Sequence, residues 1–395
     1  MIMQTEYENG VLTLCVTGTI DARNAPEFES KVHALTEMHP VDVIVLNCDG
    51  LEYVSSAGLR VILRLKNEGK DVRLVNVHGG LYEILETTGF TEMMTVQRGY
   101  RMVSIQGCEV IGKGANGTVY RLDNETVVKV YDNQDSLAEI QREREIARMV
   151  FVHGIPTAIP YDVVRIQEGG YGSVYEMLNA QSYAKLLING EKTVDELAEM
   201  SIGLLKLIHS HTAKPGLIPA IRDTALKWAL VTEDWLPADR YEKLRSLLEA
   251  VPDDLHLVHG DFHIRNIMFQ NGESLLIDMD KFSYGYPIFE LAAMYNNYCG
   301  YSVLDSDSPR RFFGISQETA RAFWDKSLAL YLGTGDERVL RAVEDKIRII
   351  AATRMIRHFI RRGEQNTPYG RDMIAYSVNV LDQLLPQTDT LLLEV

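Results

Sequence analysis

The stretch His259-Gly260-Asp261-Phe262-His263-Ile264-Arg265-Asn266, followed by Leu275-Leu276-Ile277-Asp278-Met279-Asp280, restricts the fold more than any other part of the chain. Two short apolar runs, Ile267 to Gln270 and Ser274 to Ile277, flank Asn271-Gly272, and Asn-Gly between such runs is the strongest short-range hairpin signal. A hairpin centred on Gly272 sets Asn266 opposite Asp278, each six residues from the centre. Asp261 reaches the first strand through a short loop, so Asp261, Asn266 and Asp278 are expected to converge at one end of the hairpin. Hard, oxygen-rich sites of this kind suit Mg²⁺ carried by phosphates. A carboxylate at Asp261 that is left off the metal is placed to accept a proton from an attacking hydroxyl.

A second constellation lies upstream. Ile111-Gly112-Lys113-Gly114-Ala115-Asn116-Gly117-Thr118-Val119-Tyr120 reads G-x-G-x-x-G-x-V. Such a turn in a dinucleotide-binding unit opens a helix. Here Thr118 to Leu122 and Thr126 to Tyr131 read instead as strands about Asp123-Asn124, so the loop is a strand–loop–strand flap. Glycines at 112, 114 and 117 let its backbone lie close over phosphates. Val119 and Lys129 are equidistant from Asn124, which sets Lys129 beside the end of the flap. Ser136 with Glu139 forms a capping-box pattern at the start of the next helix. Glu139 or Glu143 on that helix is the candidate partner for Lys129, with Glu143 preferred. Strands over Asp162 to Ile166 and Gly172 to Leu178 lead to Tyr175-Glu176-Met177-Leu178-Asn179, a hinge whose backbone at Glu176 and Leu178 is the candidate adenine contact. A helix over Thr193 to His211 opens with the capping box Thr193/Glu196, and the remainder is helical apart from the Asn271-Gly272 hairpin.

The first hundred residues form a separate pattern. A hairpin at Asn9-Gly10 joins two extended runs; a helix over Ala25 to Met38, a strand over Val41 to Asn47, a helix over Ser55 to Asn67, a strand over Val72 to Val77 and a short helix over Leu81 to Thr87 follow. Strands alternating with helices imply a mixed sheet with helices packed on it. At Asp49 to Arg60 the strand ends and serines open a helix. Ser55 or Ser56 is therefore either an N-cap or, because a helix N-terminus stabilises an anion, a phosphorylation site.

This N-terminal region resembles the STAS domain of bacterial anti-sigma-factor antagonists, through Gly18-Thr19-Ile20-Asp21-Ala22, the Ser55 to Leu59 turn and the order of elements. The resemblance implies a partner-docking domain, with Asp21, Ser55 and Ser56 as docking or phosphorylation candidates and a regulator protein as partner. The family's usual phosphoserine immediately precedes the glycine, where this chain has Ala57. Residues 107 to 385 resemble the protein-kinase-like phosphotransferases of the aminoglycoside and choline kinase branch. Carried over by position, the resemblance implies that Asp261 is the catalytic base and that Asn266 and Asp278 hold Mg²⁺. It makes Lys129 with Glu143 the pair that orders the ATP phosphates under the flap of Gly112, Gly114, Gly117 and Val119. His263 stands where this branch often has histidine, either approaching the transferred phosphate or bracing the loop. Gly285-Tyr286-Pro287-Ile288-Phe289-Glu290-Leu291-Ala292 resembles the branch's Gly-Asp-Pro…Asp-Leu-Ala segment, departing from it at Tyr286 and Glu290, where packing and helix capping are expected to be affected.

The expected architecture is thus an α/β STAS-like domain over 1–100, a linker over 101–106, and an α+β two-lobed kinase-like domain with an N-lobe over 107–179 and a helical C-lobe over 180–395. The expected activity is ATP- and Mg²⁺-dependent transfer to a hydroxyl of a small molecule. A protein serine kinase acting on its own or a partner's STAS domain, and a non-catalytic ATP-binding signalling module, are the alternatives. Net charge −15 argues against nucleic acid as partner. The four scattered cysteines, with neither metal-ligand spacing nor a disulfide pattern, point to a reducing cytoplasm. Neither a signal peptide nor a membrane-spanning run is apparent. Arg354, Arg357, Arg361 and Arg362 read as a solvated helix face, Trp228, Trp235 and Trp324 as packing residues, and Asp280 as a candidate for metal or substrate contact.

Overall fold

The computed structural model describes residues 1–114, 117–133, 137–213 and 216–393. It divides into two compact units, Met1–Gln141 with Tyr161–Tyr175, and Arg142–Pro160 with Glu176–Val395.

The first unit holds two sheets. The N-terminal sheet runs in the order β1 (Ile2–Glu8), β2 (Val11–Ile20), β3 (Val43–Val54), β4 (Asp71–Val77), β5 (Thr95–Arg98). Only the β1–β2 hairpin is antiparallel, and its turn takes Asn9 and Gly10 at positive φ, as an Asn-Gly turn requires. The helices α1 (Ala25–Met38), α2 (Ser56–Asn67), α3 (Gly79–Thr87) and α4 (Phe90–Met93) are the crossovers. A core of Leu12, Leu14, Phe28, Ile44, Leu46, Val61, Ile62, Leu74 and their neighbours is buried beneath them. β3 runs on to Val54, well past Asn47, because Gly50 to Val54 keep pairing with β2 through two register shifts. Alternating polar residues in this stretch conceal the strand from an apolar-run reading.

The second sheet has the order β6 (Met102–Val103), β10 (Pro160–Ile166), β11 (Tyr171–Glu176), β9 (Thr126–Tyr131), β8 (Gly117–Arg121), β7 (Val110–Lys113). β8 and β9 pair as Val119↔Lys129, the register read from the sequence. Gly117 is fixed by this pairing, since a Cβ there would lie 2.2 Å from the Val130 carbonyl oxygen. The helix α5 (Leu137–Val152) follows β9. The Ser136 capping box lies outside the described residues.

The second unit is mainly helical: α6 (Tyr183–Ile188), α7 (Val194–His209), α8 (Ile221–Leu230), α9 (Ala238–Glu249), α10 (Ile288–Tyr298), α11 (Ser308–Phe313), α12 (Gln317–Leu332), α13 (Glu337–Arg361) and α14 (Pro368–Leu384). The Thr193/Glu196 capping box on α7 is formed in both directions. Among these helices run short strands: β12 (Gln181–Ser182), β14 (Ile267–Gln270) and β15 (Glu273–Leu276) in one sheet, and β13 (Leu257–Val258) with β16 (Ser283–Tyr284) in another. Trp324 is fully buried and donates to Glu344 at 2.8 Å, and Trp228 is buried, but Trp235 is 38% exposed and does not belong to the core.

Candidate active site

The catalytic-type loop lies between β13 and β14, and the Asp278 segment lies between β15 and β16. Pairing of Val258 with Ser283, and of β14 with β15, ties the two segments together at both ends. The hairpin register differs by one residue from a Gly272-centred one. Asn271 and Gly272, both at positive φ, form a two-residue turn, so Gln270 pairs with Glu273 and Ile267 with Leu276. The centre falls between Asn271 and Gly272, and Asn266 meets Ile277 rather than Asp278: the Ile277 N–H donates to the Asn266 carbonyl at 3.0 Å. Asp278 follows with φ 67°, a left-handed conformation uncommon for a non-glycine residue. Strain of this kind costs on the order of 1–3 kcal/mol and persists where the surroundings over-determine it.

The loop itself is held by buried groups. Gly260 has φ 78°, and a Cβ there would sit 2.6 Å from the Lys281 carbonyl oxygen, so only glycine fits. Its N–H donates to both Glu290 carboxylate oxygens at 3.1 and 2.9 Å, and the His259 N–H donates to the same carboxylate. Its carbonyl accepts from Arg354 Nη2 at 3.0 Å. Both polar groups of one residue are thus gripped by a carboxylate from α10 and a guanidinium from α13. Glu290 is fully buried, which pushes its carboxyl up; His259 and the amide bonds act in the opposite direction. At Glu290 the departure from the family's aspartate is therefore a support of the loop. Tyr286 accepts the Leu393 N–H at 2.8 Å.

Asp261 Oδ1 accepts from Asn297 Nδ2 at 3.2 Å and lies 3.7 Å from His263 Nε2. His263 is buried with its ring edge-on to Phe312 and Phe313, and burial lowers its pKa, against the pull of Asp261. His259 is buried beside Phe262 and Phe282, and its Nδ1 accepts the Asp261 N–H at 3.3 Å. The Ile264 N–H donates to the Tyr298 hydroxyl at 3.0 Å. Arg265 stacks over Phe312 and donates to its carbonyl at 3.1 Å. Asp280 pairs with Lys281.

Asn266 is buried and its Nδ2 donates to the Asp261 carbonyl at 3.1 Å. That bond orients the amide so that Oδ1 is the remaining acceptor. Together with the Asp278 carboxylate, as the resemblance pairs them, that amide oxygen would offer hard donors of the kind Mg²⁺ takes while keeping waters and phosphate oxygens as its other ligands. Among the described residues, no three His, Cys, Asp or Glu side chains converge as an all-protein metal cage.

The other candidates stand as follows. Gly114 N–H donates to the Gly117 carbonyl at 2.9 Å. Gly112 packs at ordinary contact distance against Val119. The Lys129 ammonium lies 5.0 Å from the Tyr131 ring centre. Glu143 is buried on α5, whereas Glu139 is exposed. Glu176 is bonded twice to Ile159, accepting its N–H at 3.0 Å and donating to its carbonyl at 3.1 Å, and Leu178 follows half-buried. In the N-terminal sheet's helices, Ser55 caps α2 by accepting the Gly58 N–H at 3.3 Å, and Ser56 is exposed in the first turn. Asp21 accepts the N–H groups of Arg23 and Asn24, and these bonds with the Arg23 guanidinium hold its carboxyl below the usual range. Asn297, Arg354 and the loop-holding role of Glu290 were missed by sequence reasoning. The only sequence signal for Asn297 is its place two turns beyond Glu290 on one helix.

Comparison with known proteins matches the same two regions. Residues 3–101 match the STAS domain. The proposed anti-sigma factor antagonist BtrV of Bordetella bronchiseptica is 30% identical over 92 residues, spanning 22% of this chain and 78% of that protein. Among solved structures, the streptomycin–ATP complex of APH(2″)-IIa is 18% identical, covering 76% of this chain and 95% of its own, with TM-score 0.47. ADP-bound APH(2″)-Ib is also 18% identical, covering 77% and 97%, with TM-score 0.48. No helix among the described residues is long and apolar enough to cross a membrane. Residues 107–314, more than half of the chain and the whole of the loop just described, match the phosphotransferase enzyme family, and the chain belongs to that family, with a STAS domain preceding the matched region.

Proposed function

We propose that the protein transfers the γ-phosphoryl group of ATP to a hydroxyl of a small molecule, with the STAS domain as a docking site for a regulator protein. The observation that carries this reading is the state of Asp261. Its Oδ1 is occupied by Asn297 and neighboured by His263, while its backbone is set by the Glu290–Gly260–Arg354 grip. Oδ2 is then the oxygen that accepts the substrate proton, in a loop held rigid before substrate arrives. His263, buried against Phe312 and Phe313, stands beside the Asp261 carboxylate with its Nε2 3.7 Å from Oδ1. Asn266 Oδ1 and Asp278 are the residues for Mg²⁺, which when bound would neutralise charge on the phosphates. Gly112, Gly114, Gly117, Val119, Lys129 and Glu143 are the nucleotide residues by family correspondence, with Glu176 and Leu178 at the hinge. Asp21, Ser55 and Ser56 are the docking residues. Ser55, as the cap of α2, serves the fold, so Ser56 is the better-exposed hydroxyl.

The test is phosphoryl transfer from γ-labelled ATP with Mg²⁺ and a bacterial extract, with Asp261→Asn in parallel. Label in small molecules that disappears in the variant is expected. Label confined to protein, on Ser55 or Ser56 above all, would replace this reading with a protein kinase. ATP binding with no Asp261-dependent label would replace it with a nucleotide sensor.

A further inference from the structure

We propose that the acceptor bound beside Asp261 is anionic, a hydroxyl compound bearing a phosphate or carboxylate, held by a row of cations on α13. The inference rests on the phosphotransferase reading and specifies its substrate class.

α13 begins as a core helix, with Ile347, Ile350 and Ala351 buried on one face. Helical spacing carries that face on to Arg354, Arg357, His358 and Arg361. The apolar face therefore turns into a cationic one in its last two turns. This row starts at the reaction centre. Arg354 is 3.0 Å from the carbonyl of Gly260, the residue before Asp261, and its guanidinium stacks 5.4 Å from the Trp228 ring centre. Tyr301 links the two regions: its ring packs 5.6 Å from His358, and its phenol lies in the fields of both Arg354 and Asp261.

The balance of charge along the row is uneven. Arg354 faces Glu290, whose buried carboxylate holds the same glycine. Arg362, beyond the row, is paired with Glu364 at 2.7 Å. Among the described residues, Arg357 and Arg361 have no carboxylate partner. Arg357 is half-buried, and the charges bearing on it are Arg361 and Arg354, both of its own sign. Removing a cation from water among other cations is costly, and an anion placed between them offsets the cost. Guanidinium forks suit phosphate and carboxylate oxygens in paired hydrogen bonds. His358 beside them is held neutral, its pKa lowered to about 4 by burial and the neighbouring arginines, so it is available as an uncharged hydrogen-bonding group. The excess of positive charge is local, since the whole chain carries −15. A polycationic acceptor would meet repulsion from the same row.

Two measurements test this. In the first, full-length protein with its nucleotide site filled by AMP-PNP·Mg²⁺ is titrated with inorganic phosphate and its melting temperature followed. Phosphate is expected to raise the melting temperature of the native protein and of Arg338→Ala, an exposed position on the same helix, but not of Arg357→Ala or Arg361→Ala. An equal response in all four proteins overturns the proposal. In the second, γ-labelled ATP is supplied with sugar phosphates, hydroxy acids, neutral polyols and aminoglycosides. Transfer to an anionic class is expected, with Arg357→Ala raising the acceptor KM at least about tenfold while the ATP KM moves less than about threefold, and Arg357→Lys recovering part of the loss. Asp261-dependent transfer confined to neutral or cationic acceptors, or to protein, overturns the anion proposal and leaves the phosphotransferase reading in place. Absence of any Asp261-dependent turnover overturns both.

Discussion

The two oxygens of Asp261 are not equivalent, and most of the residue-scale argument follows from that. Oδ1 accepts from Asn297 and lies 3.7 Å from His263, and Oδ2 is the oxygen proposed to take the substrate hydroxyl. Hydrogen bonds to a charged group contribute roughly 1.5–3 kcal/mol, so Asn297→Ala is expected to lower kcat by about tenfold or more through misorientation of the base, with ATP affinity unchanged. Steady-state kinetics beside nucleotide titration checks this. Asp261 and Asn266 are legible in sequence because the loop motif is contiguous. Asn297 and Arg354 are not, because they reach the loop from helices far along the chain, and nothing local to them signals it. A surface-arginine reading holds for Arg362, exposed and paired with Glu364, but fails for Arg354, whose partner is a backbone carbonyl. At the other end of the chain, Ser55→Ala removes a cap from α2 and is expected to cost about 0.5–2 kcal/mol of stability, measurable by urea denaturation.

At the scale of elements, the loop from His259 to Asn266 is tied by hydrogen bonds from three helical residues. Glu290 holds its amides, Arg354 its carbonyl, and Tyr298 the Ile264 N–H. Gly260→Ala brings a Cβ to 2.6 Å from the Lys281 carbonyl oxygen at a φ of 78°, so something must shift. A destabilisation of about 2 kcal/mol or more and loss of activity are expected, read as a fall in melting temperature and in turnover. Long, strongly periodic elements such as α1, α7 and the β8–β9 hairpin are readable from pattern alone. The two-residue strands β13 and β16 are not, because each is too short to carry a period and pairs only across a distance in sequence. The hairpin register in the structure lies one residue from a Gly272-centred one for a related reason: symmetry in the sequence does not say whether a turn centres on a residue or between two, and the left-handed Asn271 and Gly272 settle it.

For the whole molecule, buried neutral histidines set an acid limit. His209 on α7 is buried with Nδ1 2.8 Å from the Tyr331 hydroxyl, and burial lowers its pKa to about 3. An unfolded histidine titrates near ~6.5. Below that value the unfolded chain binds a proton that folded His209 refuses, so stability falls as pH drops from about 6.5 towards 4. His209→Gln is expected to show a smaller loss between pH 7 and 5 than the native protein, measured by urea midpoints at both values. His358, lowered to about 4, acts in the same direction. Division into a STAS domain and a kinase-like fold was readable in the sequence because each part carries its own turn motif and element order. That Arg354 of α13 reaches the loop was not, because nothing local to it signals that contact. Asp261 is proposed to act as a base rather than as a metal ligand or a structural carboxylate. The direct measurement is the turnover of Asp261→Asn together with its affinity for ATP·Mg²⁺. A fall in kcat of about 10²–10⁴ with nucleotide affinity retained is predicted. Retained turnover, or loss of nucleotide affinity in step with turnover, would contradict it.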